Sequence, residues 1–233
     1  MKILGEVRNS IRGLVFDIDN TVYVANENYL QEGSRREMEF VAEILNITPE
    51  QLTELIKSRK AELKKKKRRE VALTEVVYSL GITPSQWSNL RCSAWQPNKW
   101  IGSDSAVCDL FARLSRIYAI VFGTNSPVEK GEKILRLIGL GRALENLLVF
   151  GPENLSVSKP NPVFFKRIAR GINLKPAHCL SIGDREFSDG PPAIKAGFCG
   201  AVILEGGRNE LLEIGELLLH RGRAKGPSGR RAK

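Results

Sequence analysis

The segment FDIDNT places two aspartates, Asp17 and Asp19, two residues apart at the end of a short apolar run. A carboxylate can act as a nucleophile, and a second carboxylate beside it can carry a proton to or from the reacting group. Later apolar runs also end in polar residues, so we consider all of these residues together as one candidate site. These residues are Thr124 and Asn125 in GTNS, Lys159 in VSKPNP, and Asp184 and Asp189 in GDREFSD.

The acidic members of this set predict a metal site. Four carboxylates at one place would repel one another, and a hard cation removes the conflict. Oxygen ligands without a nearby histidine favour Mg²⁺ over zinc. The predicted ligands are Asp17, Asp19, Asp184 and Asp189. Thr124, Asn125 and Lys159 are then predicted to bind an anion, and phosphate is a ligand that joins both halves of such a site.

The elements that must position these residues follow from the apolar runs. Five short, nearly unbroken runs suit strands that are buried on both faces, and the segments between them have helical period. Alternating strands and helices indicate an α/β fold with a doubly wound parallel sheet, whose ligands bind at the carboxyl ends of the strands. The runs are Leu14 to Ile18, Ile117 to Phe122, Leu147 to Phe150, Cys179 to Ile182 and Ala201 to Leu204.

The interval between the first and second runs is far longer than one crossover needs, at about 90 residues. It predicts a helical subdomain at 26–103, inserted into a core formed by 1–25 and 104–220. One helix is predicted to start at Thr48 and Pro49 and to stop at Gly81, and the text from Thr83 onward is predicted to be loop. Because both connections of the insertion lie near the predicted site, we expect it to act as a mobile lid.

The formal charge of +10 comes from two local features. Six basic residues stand together at 64–69 and six more lie in 221–233, while the rest of the chain has 24 basic and 26 acidic residues. The run is predicted to be a solvated helix face, and the tail, which lacks apolar periodicity, is predicted to be disordered. Nucleic-acid binding through these features is possible but is not favoured.

The remaining composition indicates a folded protein of the cytoplasm. The four cysteines have no paired close spacing and are predicted to be reduced core thiols. No run of 18 apolar residues occurs, which excludes a predicted membrane span and gives no reason to expect a membrane partner. The sequence does not indicate an oligomeric state.

The ordered motifs resemble those of the haloacid dehalogenase (HAD) superfamily of hydrolases. DIDNT resembles its first motif, which implies Asp17 as nucleophile and Asp19 as general acid and base. GTNS resembles the second motif and implies Thr124 as phosphate ligand, and Lys159 resembles the third-motif lysine. IGDREFSDG resembles the fourth, with Asp184 as metal ligand and Asp189 as ligand or support. An insertion after the first motif is the C1 cap position of that family.

The resemblance implies a Mg²⁺-dependent phosphatase that acts on a small phosphomonoester through an aspartyl-phosphate. FDIDNT followed by Val22 and Tyr23 is similar to the pyrimidine 5′-nucleotidase and phosphoglycolate phosphatase branches, so a nucleotide, a sugar phosphate or a phosphoglycolate-like substrate is expected. Two alternatives remain open. One is a haloacid dehalogenase, and the other is a non-enzymatic protein that binds phosphate or RNA through its basic cap and tail.

Overall fold

The computed structural model of the chain describes residues 1–8 and 10–223. The predicted tail covers 221–233, and its residues from 224 onward lie outside the described part of the chain. Residues 221–223 form the last turn of the final helix, so the ordered core extends three residues past the predicted boundary.

One six-stranded sheet is formed by the described residues. Its strands are β1 (Lys2–Gly5), β2 (Gly13–Phe16), β3 (Ala119–Gly123), β4 (Val149–Phe150), β5 (Cys179–Gly183) and β6 (Gly200–Ile203). Their order is β1-β6-β5-β2-β3-β4. The five predicted strands are confirmed, and they pair in parallel.

Strand β1 was not predicted, and it makes the sheet mixed because it pairs antiparallel with β6. Three of its four residues are exposed, so no buried apolar run marks it in the sequence. The central strands are different, since every residue of β2 and β5 is buried. A strand that is buried on both faces is therefore visible in the sequence as an apolar run, whereas an exposed edge strand is not.

Twelve α-helices occur within the described residues. They are α1 (Glu27–Leu45), α2 (Pro49–Lys67), α3 (Leu73–Ser79), α4 (Pro84–Ala94), α5 (Ser105–Leu114), α6 (Val128–Ile138), α7 (Leu140–Ala143), α8 (Pro152–Leu155), α9 (Pro162–Gly171), α10 (Glu186–Asp189), α11 (Pro191–Lys195) and α12 (Arg208–Arg223). Short 3₁₀ helices cover Pro97–Lys99 and Pro176–His178. None of the helices in the described part of the chain is both long and apolar enough to span a bilayer.

The chain divides into two compact units. The first, called the core unit, combines Met1–Ala25 with the chain from Ile101 onward and contains the whole sheet; the second, called the inserted unit, is Asn26–Trp100. In the core unit, Phe16 of β2 packs against Phe111 of α5 at 4.8 Å between ring centroids, and Phe122 of β3 completes the cluster. This aromatic packing anchors the strand that leads to Asp17.

The inserted unit consists of helices, but two details of its prediction are wrong. The helix predicted from Thr48 to Gly81 is two helices, because Arg68 adopts a left-handed conformation with φ 50° after α2, and α3 begins at Leu73. The predicted loop after Thr83 is helix α4, which Thr83 caps by accepting a hydrogen bond from the Gln86 backbone N–H.

Aromatic side chains form the core of the inserted unit. Trp87 is 3% exposed and donates to Thr74 Oγ1 at 3.1 Å, and Trp95 packs edge-on against Tyr29 at 5.1 Å. Trp95 also crosses α1 at Gly33, where an added Cβ would stand 2.4 Å from its ring. These large rings are buried together with aliphatic side chains such as Leu52 and Ile82, in a unit whose longest helices are otherwise rich in charge.

Candidate active site

The end of β2 places Asp17 at the centre of the sheet. Its backbone N–H donates to the carbonyl of Ile182 at 2.8 Å, which fixes Asp17 beside the end of β5. The chain then turns sharply, because Thr21 and Val22 both donate to the Ile18 carbonyl. The strand therefore ends at Phe16, and Asp17 and Asp19 lie at the start of the turn that follows it.

A buried lysine joins Asp17 to Asp189. Lys159 Nζ lies 2.6 Å from Asp17 Oδ1 and 2.6 Å from Asp189 Oδ1, and the lysine side chain is 4% exposed. Burial lowers the pKa of Lys159, but the two carboxylates outweigh this effect and raise its pKa, so the ammonium form persists. The predicted residues Asp17, Lys159 and Asp189 therefore meet in one buried cluster.

Asp184 completes a group of three carboxylates. One oxygen each from Asp17, Asp184 and Asp189 lies within 4.8 Å of the others. Burial raises the pKa of Asp17 to about 7, although Lys159 opposes the shift, and burial together with Asp189 raises the pKa of Asp184. The Lys159 ammonium is the buried cation of this group, and the exposed Arg185 guanidinium lies 3.7 Å from Asp184 Oδ2. Three carboxylates still exceed this positive charge, and a divalent cation would neutralise the rest.

Gly183 allows Asp189 to approach the end of β5. A Cβ at position 183 would stand 2.4 Å from Asp189 Cγ, so a side chain there would displace the carboxylate. Asp189 Oδ2 accepts hydrogen bonds from Ser188 Oγ at 2.9 Å and from the Arg185 N–H at 3.3 Å. With Lys159 on the other oxygen, Asp189 is held by donors on both sides.

Asp19 lies outside the three-carboxylate group, and its role as a metal ligand stays a prediction. Its oxygens are directed to other partners. Tyr23 donates its hydroxyl to Oδ1 at 2.7 Å, Ser126 Oγ donates to Oδ2 at 2.7 Å, and Lys130 Nζ lies 3.6 Å from Oδ1. The carboxylate is therefore fixed separately from Asp17.

The loop after β3 brings the GTNS motif to the same edge. Thr124 is 1% exposed, and its Oγ1 accepts the Ser126 N–H at 2.9 Å, which leaves the hydroxyl proton for a further acceptor. Asn125, which is predicted to bind phosphate, contacts the backbone of Lys159. Asn125 Nδ2 donates to the Lys159 carbonyl at 2.9 Å, and Asn125 Oδ1 accepts the Lys159 N–H at 2.8 Å. Both hydrogen bonds fix the backbone at Lys159.

A model of the haloacid dehalogenase-like hydrolase family matches residues 11–197, which is more than half of the chain. The chain belongs to this family. The match begins just before β2 and contains every residue of the cluster described above.

A relative with a known activity matches a smaller part of this hydrolase. Glyceraldehyde 3-phosphate phosphatase from Pyrococcus furiosus is 38% identical over 64 residues, which is 28% of this chain. The matched segment spans about a quarter of that relative's length, at 25%. The activity of the relative is therefore a guide to this hydrolase and not a description of it.

Solved structures share the fold over most of the hydrolase. A dehalogenase with an intermediate complex matches with a TM-score of 0.57 and 15% identity, covering 91% of this chain and 98% of the other. A HAD phosphatase from Thermococcus onnurineus matches with a TM-score of 0.51 and 16% identity, covering 89% and 98%. At these identities the likeness concerns the fold alone, and two different reactions occur among the similar structures.

The side chains that contact Asp19 are absent from the predicted site residues: Tyr23, Ser126 and Lys130. Lys130 had a detectable signal, because it lies four residues before Ile134 on the apolar face of α6 and is 4% exposed. A lysine within an apolar helical stripe indicates a buried charge that needs a partner. Tyr23 and Ser126 had no such signal, since a tyrosine and a serine after a strand are ordinary turn residues.

Proposed function

We propose that the chain is a phosphatase that hydrolyses a small phosphomonoester with Mg²⁺ through an aspartyl-phosphate on Asp17. The observation that carries this proposal is the position of the Asp17 carboxylate, 2.6 Å from Lys159 Nζ and within the group formed with Asp184 and Asp189. A nucleophile so placed has positive charge beside it and carboxylates able to hold a cation. Both features reduce the repulsion between an anionic nucleophile and a phosphoryl group.

The first half-reaction uses both aspartates of FDIDNT. An oxygen of Asp17 forms a bond to phosphorus while the bond from phosphorus to the ester oxygen breaks, and Asp19 gives its proton to the leaving oxygen. In the second half-reaction Asp19 takes a proton from water. The water oxygen bonds to phosphorus, the bond to Asp17 breaks, and phosphate leaves. Lys159 and the Thr124 hydroxyl would hold the phosphoryl oxygens in both steps.

The residues present fit a magnesium ion. Asp17 and Asp184 would hold it: burial, together with neighbouring carboxylates, raises both pKa values, and a bound cation would favour the charged forms. Asp189 accepts three hydrogen bonds, which favours a supporting role over direct ligation. When bound, the ion would supply Lewis-acid polarisation of the phosphoryl group.

The same residues favour a phosphatase over a haloacid dehalogenase. Both reactions use an aspartate nucleophile, but the dehalogenase needs neither a second aspartate as acid nor a cation site. Here Asp19 lies two residues from Asp17 with its own set of donors, and three carboxylates gather at the nucleophile. These features would have no use in dehalogenation.

The substrate is proposed to be a small phosphate ester. The matched relative acts on glyceraldehyde 3-phosphate, as its name states, and it supports a three-carbon or other sugar phosphate. Nucleotides and phosphoglycolate-like esters belong to the same proposal. Release of inorganic phosphate from a panel of these esters, with Mg²⁺ and with excess chelator, tests it. Turnover that persists in chelator, or release of halide from a haloacid in place of phosphate, would contradict the proposal.

The inserted unit is proposed to select the substrate. The chain leaves the core unit after Ala25, two residues after Tyr23, and returns at Ile101, shortly before α5 begins at Ser105. Substitution of Lys99 and Trp100 by alanine should change kcat/KM among sugar phosphates and nucleotides more than it changes hydrolysis of p-nitrophenyl phosphate. Equal changes for all substrates would place selection in the core unit.

A further inference from the structure

Lys130 is a second buried lysine of the core unit, separate from the Asp17 cluster. It lies on α6, is 4% exposed, and its Nζ is 3.6 Å from Asp19 Oδ1 and 3.4 Å from Ser126 Oγ. A buried ammonium is costly unless charge and hydrogen bonds compensate it, so its place beside Asp19 needs an explanation.

The hydrogen bonds around Ser126 have a defined direction. A lysine ammonium has donors and no acceptor, so Ser126 Oγ accepts from Lys130. The serine hydroxyl must then use its own proton elsewhere, and Asp19 Oδ2 lies 2.7 Å away. The Ser126 backbone N–H donates to Thr124 Oγ1, which fixes the serine relative to the GTNS loop.

Both oxygens of the Asp19 carboxylate consequently accept a hydrogen bond. Ser126 contacts Oδ2, while the Tyr23 hydroxyl contacts Oδ1 at 2.7 Å with Lys130 on the same side. The side chain remains 32% exposed, so it keeps an accessible edge despite these contacts. The arrangement fixes the plane of the carboxylate and leaves part of it open to a reacting group.

We propose that Lys130, acting through Ser126 and through its charge, is a positioning residue that orients Asp19 for proton transfer. The proposal rests on the proposed phosphatase function, in which Asp19 is the general acid and base. Each aspartate of FDIDNT then has its own buried lysine: Lys159 serves the nucleophile, and Lys130 serves the proton carrier.

The two half-reactions of an aryl phosphate depend on Asp19 to different extents. An aryl phosphate has a good leaving group, so its attack by Asp17 needs little help from an acid, whereas hydrolysis of the aspartyl-phosphate needs Asp19 as base. Lys130→Met should therefore leave the burst of p-nitrophenol within about threefold of wild type. It should slow steady-state turnover on the order of 10- to 100-fold, a part of the usual contribution of general acid–base catalysis.

The test is rapid-quench and steady-state kinetics on five full-length variants with Mg²⁺ present: Lys130→Met, Lys130→Arg, Lys133→Met, Asp19→Asn and the Asp19→Asn, Lys130→Met double variant. Lys130→Arg keeps the charge and should recover much of the loss, while Lys133→Met, on the exposed face of the same helix, should match wild type. In an Asp19→Asn background, Lys130→Met should cost less than twofold, because a residue that acts through Asp19 has nothing left to orient.

Several results would overturn the proposal. Equal losses in burst and steady state would indicate a structural role, as would a full additional loss in the Asp19→Asn background. If Lys130→Met does not fold, Ser126→Ala removes the same contact with a smaller change, and wild-type turnover in that variant would also contradict the proposal. A wild-type protein that forms no phosphoenzyme would instead contradict the phosphatase function itself.

Discussion

Charged residues are used differently in the core unit and in the inserted unit. In the core unit, the side chains of Lys159 and Asp189 are 4% and 3% exposed, and Lys159 Nζ lies 2.6 Å from Asp189 Oδ1. In the inserted unit, Lys64 and Glu70 pair with 57% and 53% exposure, and Lys67 and Glu75 also pair near the surface. Exposed pairs contribute little to stability, whereas buried pairs persist where a fixed geometry is needed. Burial, more than charge count, therefore marks the region suited to chemistry.

One pair in the inserted unit departs from this contrast. Arg91 of α4 lies 2.7 Å from Glu37 of α1, with 16% and 6% exposure. The Arg91 guanidinium also stacks over Trp87 at 5.6 Å. Since this pair joins two helices of one unit, we assign it to the stability of that unit. It provides a direct comparison between a buried pair for folding and a buried pair for chemistry.

The largest expected effect is that of Asp17→Asn. The change removes the proposed nucleophile and nearly preserves the shape of the side chain, so turnover should fall on the order of 10⁴-fold or more. Thermal unfolding should remain cooperative. Steady-state phosphate release measures the loss, and acid-quenched protein should retain no acyl phosphate. Residual turnover within tenfold of wild type would remove Asp17 from the mechanism.

Magnesium affinity is expected to weaken as the pH falls below 7. Burial raises the pKa of Asp17 to about 7 in the metal-free protein, so at lower pH a proton must leave before the ion binds. The apparent dissociation constant should rise about tenfold per pH unit below 7 and become constant above it. Calorimetric titrations from pH 5.5 to 8.5 measure this slope. Affinity that does not change over this range would mean that Asp17 stays ionised throughout.

Arg91→Met is expected to destabilise the protein and to leave catalysis intact. Loss of one partner strands the buried Glu37 carboxylate, which should lower the free energy of unfolding by about 3 kcal/mol. The matched control is Arg113→Met, whose pair with Glu216 is 40% and 53% exposed and should contribute less than about 1 kcal/mol. Denaturant unfolding and p-nitrophenyl phosphate turnover measure both properties. A similar stability loss in both variants would remove the distinction.

The smallest expected effect is that of replacing Lys64, Lys65 and Lys66 together by alanine. All three are exposed at the end of α2, so turnover should remain within about twofold and stability within about 1 kcal/mol. Filter binding to single-stranded RNA at low and high salt accompanies the kinetics. Strong, salt-sensitive RNA binding in wild type that the variant loses would support a nucleic-acid role for this helix.

The sequence predicted the parts of the molecule where burial leaves a pattern. Strands β2 and β5 are buried throughout, and a parallel sheet forces their ends together, which is why Asp17 and Asp184 could be placed at one edge. Strand β1 is an exposed edge and left no apolar run. Helix α4 was missed because its first residues, PSQ, read as loop, although Thr83 and Gln86 form a capping box there.

The assignments within the site depended on side-chain direction, which spacing does not determine. Asp17 and Asp19 are equivalent by sequence, yet the turn after β2 directs them to different partners. Asn125 is next to Thr124 in the motif, but its amide matches the donor and acceptor of the Lys159 peptide unit. These outcomes depend on loops that meet across more than 30 residues and on hydrogen bonds that no local pattern encodes.

The sheet order also determines when the site can exist during synthesis of the chain. Strand β2 is translated long before its neighbour β5, which begins at Cys179, and Lys159 lies 142 residues after Asp17. A nascent chain that ends before β5 has β2 paired on one side at most and lacks Asp184 and Asp189 altogether. Such long-range pairing slows folding relative to local helix formation. Asp17 is thus made before its carboxylate partners, which are among the last parts of the sheet to emerge.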